Sequence, residues 1–134
     1  MPMTRVGPAA GMTMAARVQN ERARRLAVGF HYDFGDERGV HHIATTEADM
    51  RGWDEISKGA QALINLGQPG TQFEITTETG KVNVTALEWQ QILVAATVAR
   101  QPIWSASFAL QAMNPIPADF AADRWWTAPE PEPE

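Results

Sequence analysis

Phe73-Glu74-Ile75-Thr76-Thr77-Glu78-Thr79-Gly80-Lys81-Val82-Asn83-Val84-Thr85-Ala86 decides the fold class of this chain. Aromatic and β-branched residues alternate with polar ones on both sides of Thr79-Gly80, the pattern of a half-buried antiparallel hairpin. A two-residue Thr79-Gly80 turn sets Glu78 opposite Lys81, Thr77 opposite Val82 and Ile75 opposite Val84. Phe73, Ile75, Thr77, Val82 and Val84 then share one face, and Glu74, Thr76, Glu78, Lys81, Asn83 and Thr85 share the other. A slip of one residue would bury charge, so the alternation pins which face is packed. Thr85 and Glu88 match the Ser/Thr-x-x-Glu capping box, so a helix begins directly after the second strand.

Downstream, Leu87, Trp89, Ile92, Leu93, Val94, Ala96 and Val98 make the helix from Ala86 to about Gln101 apolar nearly all round, which predicts a helix enclosed by the core. Pro102 predicts a kink rather than an end, because Ile103, Trp104, Phe108, Leu110 and Met113 keep a helical period beyond it. Asn114-Pro115-Ile116-Pro117 stops it. Upstream, Phe30–Phe34 and Val40–Ala44 read as a second hairpin around the polar tip Gly35–Gly39. Thr46 with Asp49 resembles a capping box for a helix carrying Met50, Trp53, Ile56, Ala60, Leu63 and Ile64 inward, ended by Gly67 and Pro69-Gly70. Thr13 is placed to cap a further helix reaching about Val28, with only a thin apolar stripe at Met14, Val18 and Leu26 among Arg17, Arg22, Arg24 and Arg25.

These elements predict an α+β fold: two antiparallel β-hairpins forming a small sheet, with three to four α-helices packed on one face. Residues 1–12 read as a flexible leader, 13–114 as a single α+β domain, and 115–134 as a C-terminal aromatic segment and a disordered acidic Pro/Glu tail. With 134 residues, 44% hydrophobic and 20% charged, the chain is long enough for one modest core. It has no cysteine, which excludes disulfides, thiolate metal sites and a cysteine nucleophile. No run approaches the ~18 apolar residues of a membrane span, and Met1–Gly11 lacks the apolar stretch of a secretory signal. A net charge of −5 argues against a nucleic-acid partner. The charge is uneven: Met1–Arg25 holds five Arg and one Glu, while Asp119–Glu134 holds five acids and one Arg.

His31, Asp33, His41 and His42 are the one cluster of metal-ligating residue types, and a hairpin would bring His31 and Asp33 beside His41. Their spacing matches no ligand motif, so exposed polar strand residues are the expectation, with no metal or cofactor. Asp36-Glu37 and Asp54-Glu55 are expected on a turn and on the wet side of a helix. No glycine-rich phosphate loop follows a strand, and there is no Gly-x-Ser-x-Gly elbow, so no enzymatic activity is expected. Trp53, Trp89 and Trp104 fall on core periods. Phe120, Trp125 and Trp126 are different: two adjacent indoles form an apolar patch that something must cover. They are the candidate partner-binding residues, with the helix bearing Arg22, Arg24 and Arg25 as a candidate receptor on a neighbouring copy.

Taken together, the Arg-rich helix ending Arg24-Arg25-Leu26-Ala27, the Gly29-Phe30-x-Tyr32 strand, Ile43-x-Thr45 before a helix, and the Phe73–Ala86 hairpin with its Ala-rich closing helix resemble a small phage tail-fibre-associated domain family of unknown function. The resemblance covers roughly residues 20–113. It implies a non-enzymatic phage or prophage tail or tail-fibre-associated structural protein acting through protein–protein contacts, in the virion tail or in the host cytoplasm during assembly. Its implied partners are tail or tail-fibre proteins, with self-association as a further option. The turn Phe34–Gly39 is longer than the family's, and only a short leader precedes it. Both departures point toward an accessory role, and a cytoplasmic tail-fibre assembly chaperone is the alternative. A small metal- or ligand-binding module comes third.

Overall fold

The computed structural model describes residues 12–127. The expected leader up to residue 11 and the Pro/Glu tail lie outside the described residues. Thr13 starts the first helix by accepting the Ala16 N–H on its Oγ1 at 3.1 Å, which satisfies one of the donors a helix N-terminus leaves unpaired. This helix, α1, runs Met14–Val28. Gly29 follows at φ 85°, and a Cβ there would stand 2.1 Å from the Ile43 carbonyl oxygen. Glycine alone allows both the left-handed backbone and that close approach.

β1 (Phe30–Asp33) and β2 (Val40–Ile43) then pair antiparallel, Phe30 opposite Ile43 and Tyr32 opposite His41. α2 (Glu47–Asn65) opens on the expected box: Thr46 Oγ1 accepts the Asp49 N–H at 3.1 Å, and Asp49 Oδ2 accepts the Thr46 N–H at 3.0 Å. β3 (Gln72–Thr76) and β4 (Lys81–Thr85) form the second hairpin. α3 (Ala86–Gln111) starts on the Thr85–Glu88 box and continues through Pro102. The fold is α+β, with three α-helices and two separate two-stranded antiparallel sheets among the described residues. Beyond Pro117 the chain makes a series of turns and one 3₁₀ turn, Asp123–Trp125, preceded by Ala122 in an extended conformation at φ −65°, ψ 138°.

The register of the second hairpin differs from the expectation. Ile75 faces Val82, Phe73 faces Val84 and Thr76 faces Lys81. The turn is centred on Glu78-Thr79, closed by Thr77 N–H to Gly80 O at 2.9 Å and Gly80 N–H to Thr77 O at 3.2 Å. Thr77 Oγ1 decides this, since it accepts the Thr79 and Gly80 N–H groups at 3.1 and 3.2 Å and holds the chain in a hydroxyl-stabilised turn. Each partner has moved by two positions, which preserves strand parity. Phe73, Ile75, Val82 and Val84 therefore still share the packed face.

The chain divides into two compact units, one of Leu26–Arg100 and one built from Met1–Arg25 with Gln101–Glu134. The core of the first unit is Ile43, Trp53, Ala60, Ile75, Val82, Val84, Ala86, Trp89, Ile92 and Ala96. Trp53 and Trp89 meet edge to face at 4.9 Å between ring centres, and Trp89 Nε1 donates to Ser57 Oγ at 3.0 Å. The other unit has a core of Val18, Leu110, Phe120 and Trp126.

Within the first unit α3 is not enclosed. Ala86, Trp89, Ile92 and Ala96 are at most 3% exposed, whereas Leu87, Val94 and Val98 are 50%, 63% and 69% exposed. The expectation of a helix buried all round is corrected. The hairpins and α2 supply apolar partners for one side of α3 only, so its apolar composition exceeds what this unit can cover.

Candidate functional site

Three features of the first unit and one of the second bear on function. Arg38, in the turn between β1 and β2, is the most heavily bonded side chain of its unit. Its guanidinium donates to Asp36 Oδ2 at 2.7 Å, to Glu88 Oε2 at 2.7 Å and Oε1 at 3.1 Å, and to the Asn83 carbonyl at 3.0 Å. It also lies over the Phe34 ring, 4.5 Å from the centroid. A single arginine thus joins the first hairpin's turn, β4 and the first turn of α3. The Arg38 guanidinium beside Asp36 holds that carboxyl down at about 2. Its hydrogen bonds hold Glu88 below the ordinary carboxylate range too, against the opposing effect of burial. Arg38 itself is raised above its ordinary value, first by Asp36 and then by Glu88. Around this clamp lies a polar cleft of about 770 Å³, with His41, Lys81 and Asn83 on its walls. Every guanidinium nitrogen already has a partner, so the clamp is a structural joint.

The histidines are split by the register. His31 faces His42 across the hairpin with ring centres 4.7 Å apart, while His41 pairs with Tyr32 and points to the other side. The expected meeting of His31 and Asp33 with His41 does not occur, because residues one position apart on a strand face opposite ways. His41 is 6% exposed. Its Nε2 lies 3.1 Å from the Arg38 carbonyl, which can only accept, so Nε2 carries a proton. Its Nδ1 lies 2.7 Å from Thr77 Oγ1. His42 meets the Val28 carbonyl through Nε2 at 2.6 Å, and its N–H donates to Thr79 Oγ1 at 2.9 Å. The Glu78 N–H donates to the His42 carbonyl at 3.0 Å. His41 and His42 therefore tie β2 to the turn of the second hairpin. Among the described residues no group of three or more His, Asp or Glu is placed to hold a metal ion.

In the unit of Met1–Arg25 and Gln101–Glu134, the candidate partner-binding residues find one another within the same chain. Phe120 and Trp126 are 8% and 3% exposed, packed with Val18 and Leu110, and Trp126 Nε1 donates to the Phe120 carbonyl at 2.7 Å. Trp125 is half-buried, with Nε1 3.3 Å from Asp119. Arg25 bonds Asp123 and Glu21 at 2.7 Å each and lies 5.2 Å from the Trp126 ring centroid. Arg22 lies over Trp104 at 4.3 Å and donates to Ser107 Oγ at 3.0 Å, and Arg24 pairs with Glu21. The basic helix does receive the aromatic segment, but in cis. A receptor tethered to the same chain is always at hand, and here it covers Trp126.

The remaining feature is the bare side of α3 in the first unit. Leu87, Gln91, Val94 and Val98 are all exposed and follow one another at intervals of four, three and four. The two charged residues of α3 are occupied elsewhere: Glu88 bonds Arg38, and Arg100 donates to the Leu26 and Thr45 carbonyls at 3.4 and 3.2 Å. The stripe is consequently free of charge. Its spacing was legible in the sequence, but its exposure was not. Arg38 left no sequence signal at all, since nothing in Gly35-Asp36-Glu37-Arg38-Gly39 indicates a partner as distant as Glu88. Comparison with family models, with curated proteins and with solved structures yields no match for this chain.

Proposed function

We propose that this chain is a non-enzymatic structural protein of a phage or prophage tail, acting through protein–protein contacts with tail or tail-fibre proteins. The phage setting rests on the resemblance of its helix, strand and hairpin motifs. The observation that carries the contact is the uncharged stripe Leu87, Gln91, Val94 and Val98. Alternating intervals of four and three are the seam along which two helices interdigitate, so the occupant is an apolar, uncharged helical face of a tail protein. The stripe is only about 17 Å long at the rise of an α-helix. At a helix width of about 10 Å it covers on the order of 200 Å², short of the ~800 Å² per partner of a standard stable interface, so the contact is weak singly and gains strength from repeated copies in a particle.

Mass spectrometry of purified particles tests the reading, paired with a Val94→Glu/Val98→Glu chain. The proposal expects the parent chain in the tail at a fixed stoichiometry, and the variant folded but missing from particles. A chain abundant during assembly yet absent from finished particles would instead mark an assembly chaperone. Equal incorporation of parent and variant would remove the α3 face from the account.

A further inference from the structure

The two edges of the second hairpin are treated differently by the rest of their unit. In an antiparallel ladder, alternate pairs exchange hydrogen bonds and the others turn their N–H and C=O outward. Thr77 and Gly80 are a bonded pair, and Ala86 N–H to Thr71 O at 3.1 Å fits the same phase at the far end. Gln72, Glu74 and Thr76 on β3, and Lys81, Asn83 and Thr85 on β4, therefore present outward backbone groups. On β4 the Asn83 carbonyl is taken by Arg38 and the Thr85 N–H by Glu88 at 2.9 Å. On β2 the outward groups of His42 are taken by Glu78 and Thr79. On β3, among the described residues, the outward groups of Gln72, Glu74 and Thr76 have no hydrogen-bond partner, and all three residues are exposed.

The edge of β1 is open as well; β3 borders a groove with a helix for its opposite wall. The groove holds about 330 Å³, with Gly52, Trp53 and Ile56 of α2 facing Glu74, Ile75 and Thr76. Gly52 sits inside a helix, where glycine is unfavourable, and a Cβ there would meet nothing within 4 Å. Its missing side chain widens the groove. Asp49 and Glu74 line the groove; one Asp49 oxygen is held by Thr46, and Lys81 approaches Glu74 only to 3.9 Å from an exposed position.

We infer that the β3 edge binds an extended peptide segment by strand addition, one whose alternate residues are apolar and basic. The unpaired backbone groups at every second residue demand an extended main chain, the Trp53–Ile56 wall accepts apolar side chains, and the acidic rim selects Lys or Arg. The segment need be only about five residues long, about 17 Å, to run the length of β3. This goes beyond the proposed tail contact: it concerns a different face and holds whether or not the chain belongs to a tail.

The test is fluorescence anisotropy of the full chain with a labelled hexapeptide of alternating Lys and Val, alongside amide hydrogen exchange. Binding is expected below about 1 mM, with new protection at Gln72, Glu74 and Thr76. N-methylation of every second peptide amide, in either phase, distinguishes main-chain pairing from charge attraction. One phase should lose affinity at least tenfold and the other much less. Gly52→Leu fills the groove at a site where a better helix former does not harm the fold. Thr76→Pro removes an outward donor and leaves the ladder bonds intact. Each should weaken binding at least tenfold without lowering the melting temperature, and Glu74→Gln should reduce the preference for Lys over Glu peptides.

Four results would overturn the inference. They are no binding at millimolar peptide, equal loss from both N-methylation phases, unchanged affinity in Gly52→Leu and Thr76→Pro, and protection appearing elsewhere. A concentration-dependent dimer abolished by Thr76→Pro would assign the edge to a second copy of the chain and overturn the peptide.

Discussion

The two hairpins of the Leu26–Arg100 unit solve the same problem by different means. The β1–β2 turn is long and is held by charge, through Arg38 with Asp36 and Glu88. The β3–β4 turn is short and is held by a neutral hydroxyl, with Thr77 Oγ1 accepting two backbone N–H groups. A charged clamp reaches far and joins elements distant in the chain, but it is sensitive to acid and salt. The hydroxyl turn carries no charge of its own, although Thr77 Oγ1 also meets His41 Nδ1, and it sets a register that the hydrophobic pattern leaves open.

The contrast can be broken most forcefully at the entrance of the first hairpin. Gly29→Val adds a side chain to a left-handed backbone and drives it against the Ile43 carbonyl 2.1 Å away, so chemical denaturation should show a loss of about 3 kcal/mol or more. In the second hairpin, Gly80 at φ 147° has open space around its missing Cβ. Gly80→Val should therefore cost only backbone strain, about 2 kcal/mol by the same measurement. A loss at Gly80 equal to that at Gly29 would mean that steric crowding does not separate the two glycines.

Arg38→Met sharpens the comparison through pH. The Asp36 carboxyl is lowered from its ordinary 3.8 to about 2, and Glu88 is lowered as well. The stabilisation from depressed carboxylates is complete above their ordinary values and is lost as pH falls through the depressed ones. Thermal melts of the parent should therefore fall more steeply than those of Arg38→Met as the pH drops from about 4 toward about 2, the two curves converging at the acid end. At neutral pH the variant should melt at a lower temperature than the parent, by less at high salt, since the pairs are partly exposed. Thr77→Ala gives the smallest effect, about 1 kcal/mol, with no dependence on salt. Hydrogen exchange at Thr79 and Gly80 should quicken in that variant.

Much of this architecture was legible because it is local. Thr46 with Asp49 and Thr85 with Glu88 announce helix starts within four residues of sequence, and both boxes close as read. The period-two alternation in Phe73–Ile75 and Val82–Val84 identifies the packed face without reference to any partner. The candidate site was less legible. The aromatic segment and the basic helix were both visible as features, yet the sequence does not say whether Trp126 meets Arg25 of its own chain or of another.

What the sequence by itself determined is the order of the elements, their caps and the inward face of each strand, because these depend on neighbours one to four residues away. Tertiary structure alone decided the reach of Arg38 and the two faces of α3, and the register of the second hairpin lay outside what the hydrophobic pattern could choose. A two-residue shift in pairing leaves every side chain on its own face, so hydrophobic patterning cannot detect it, and the Thr77 hydroxyl settles the choice. Leu87 and Trp89 are equally apolar in the sequence. One is half exposed and the other buried because the unit holds enough apolar surface to cover only one side of the helix.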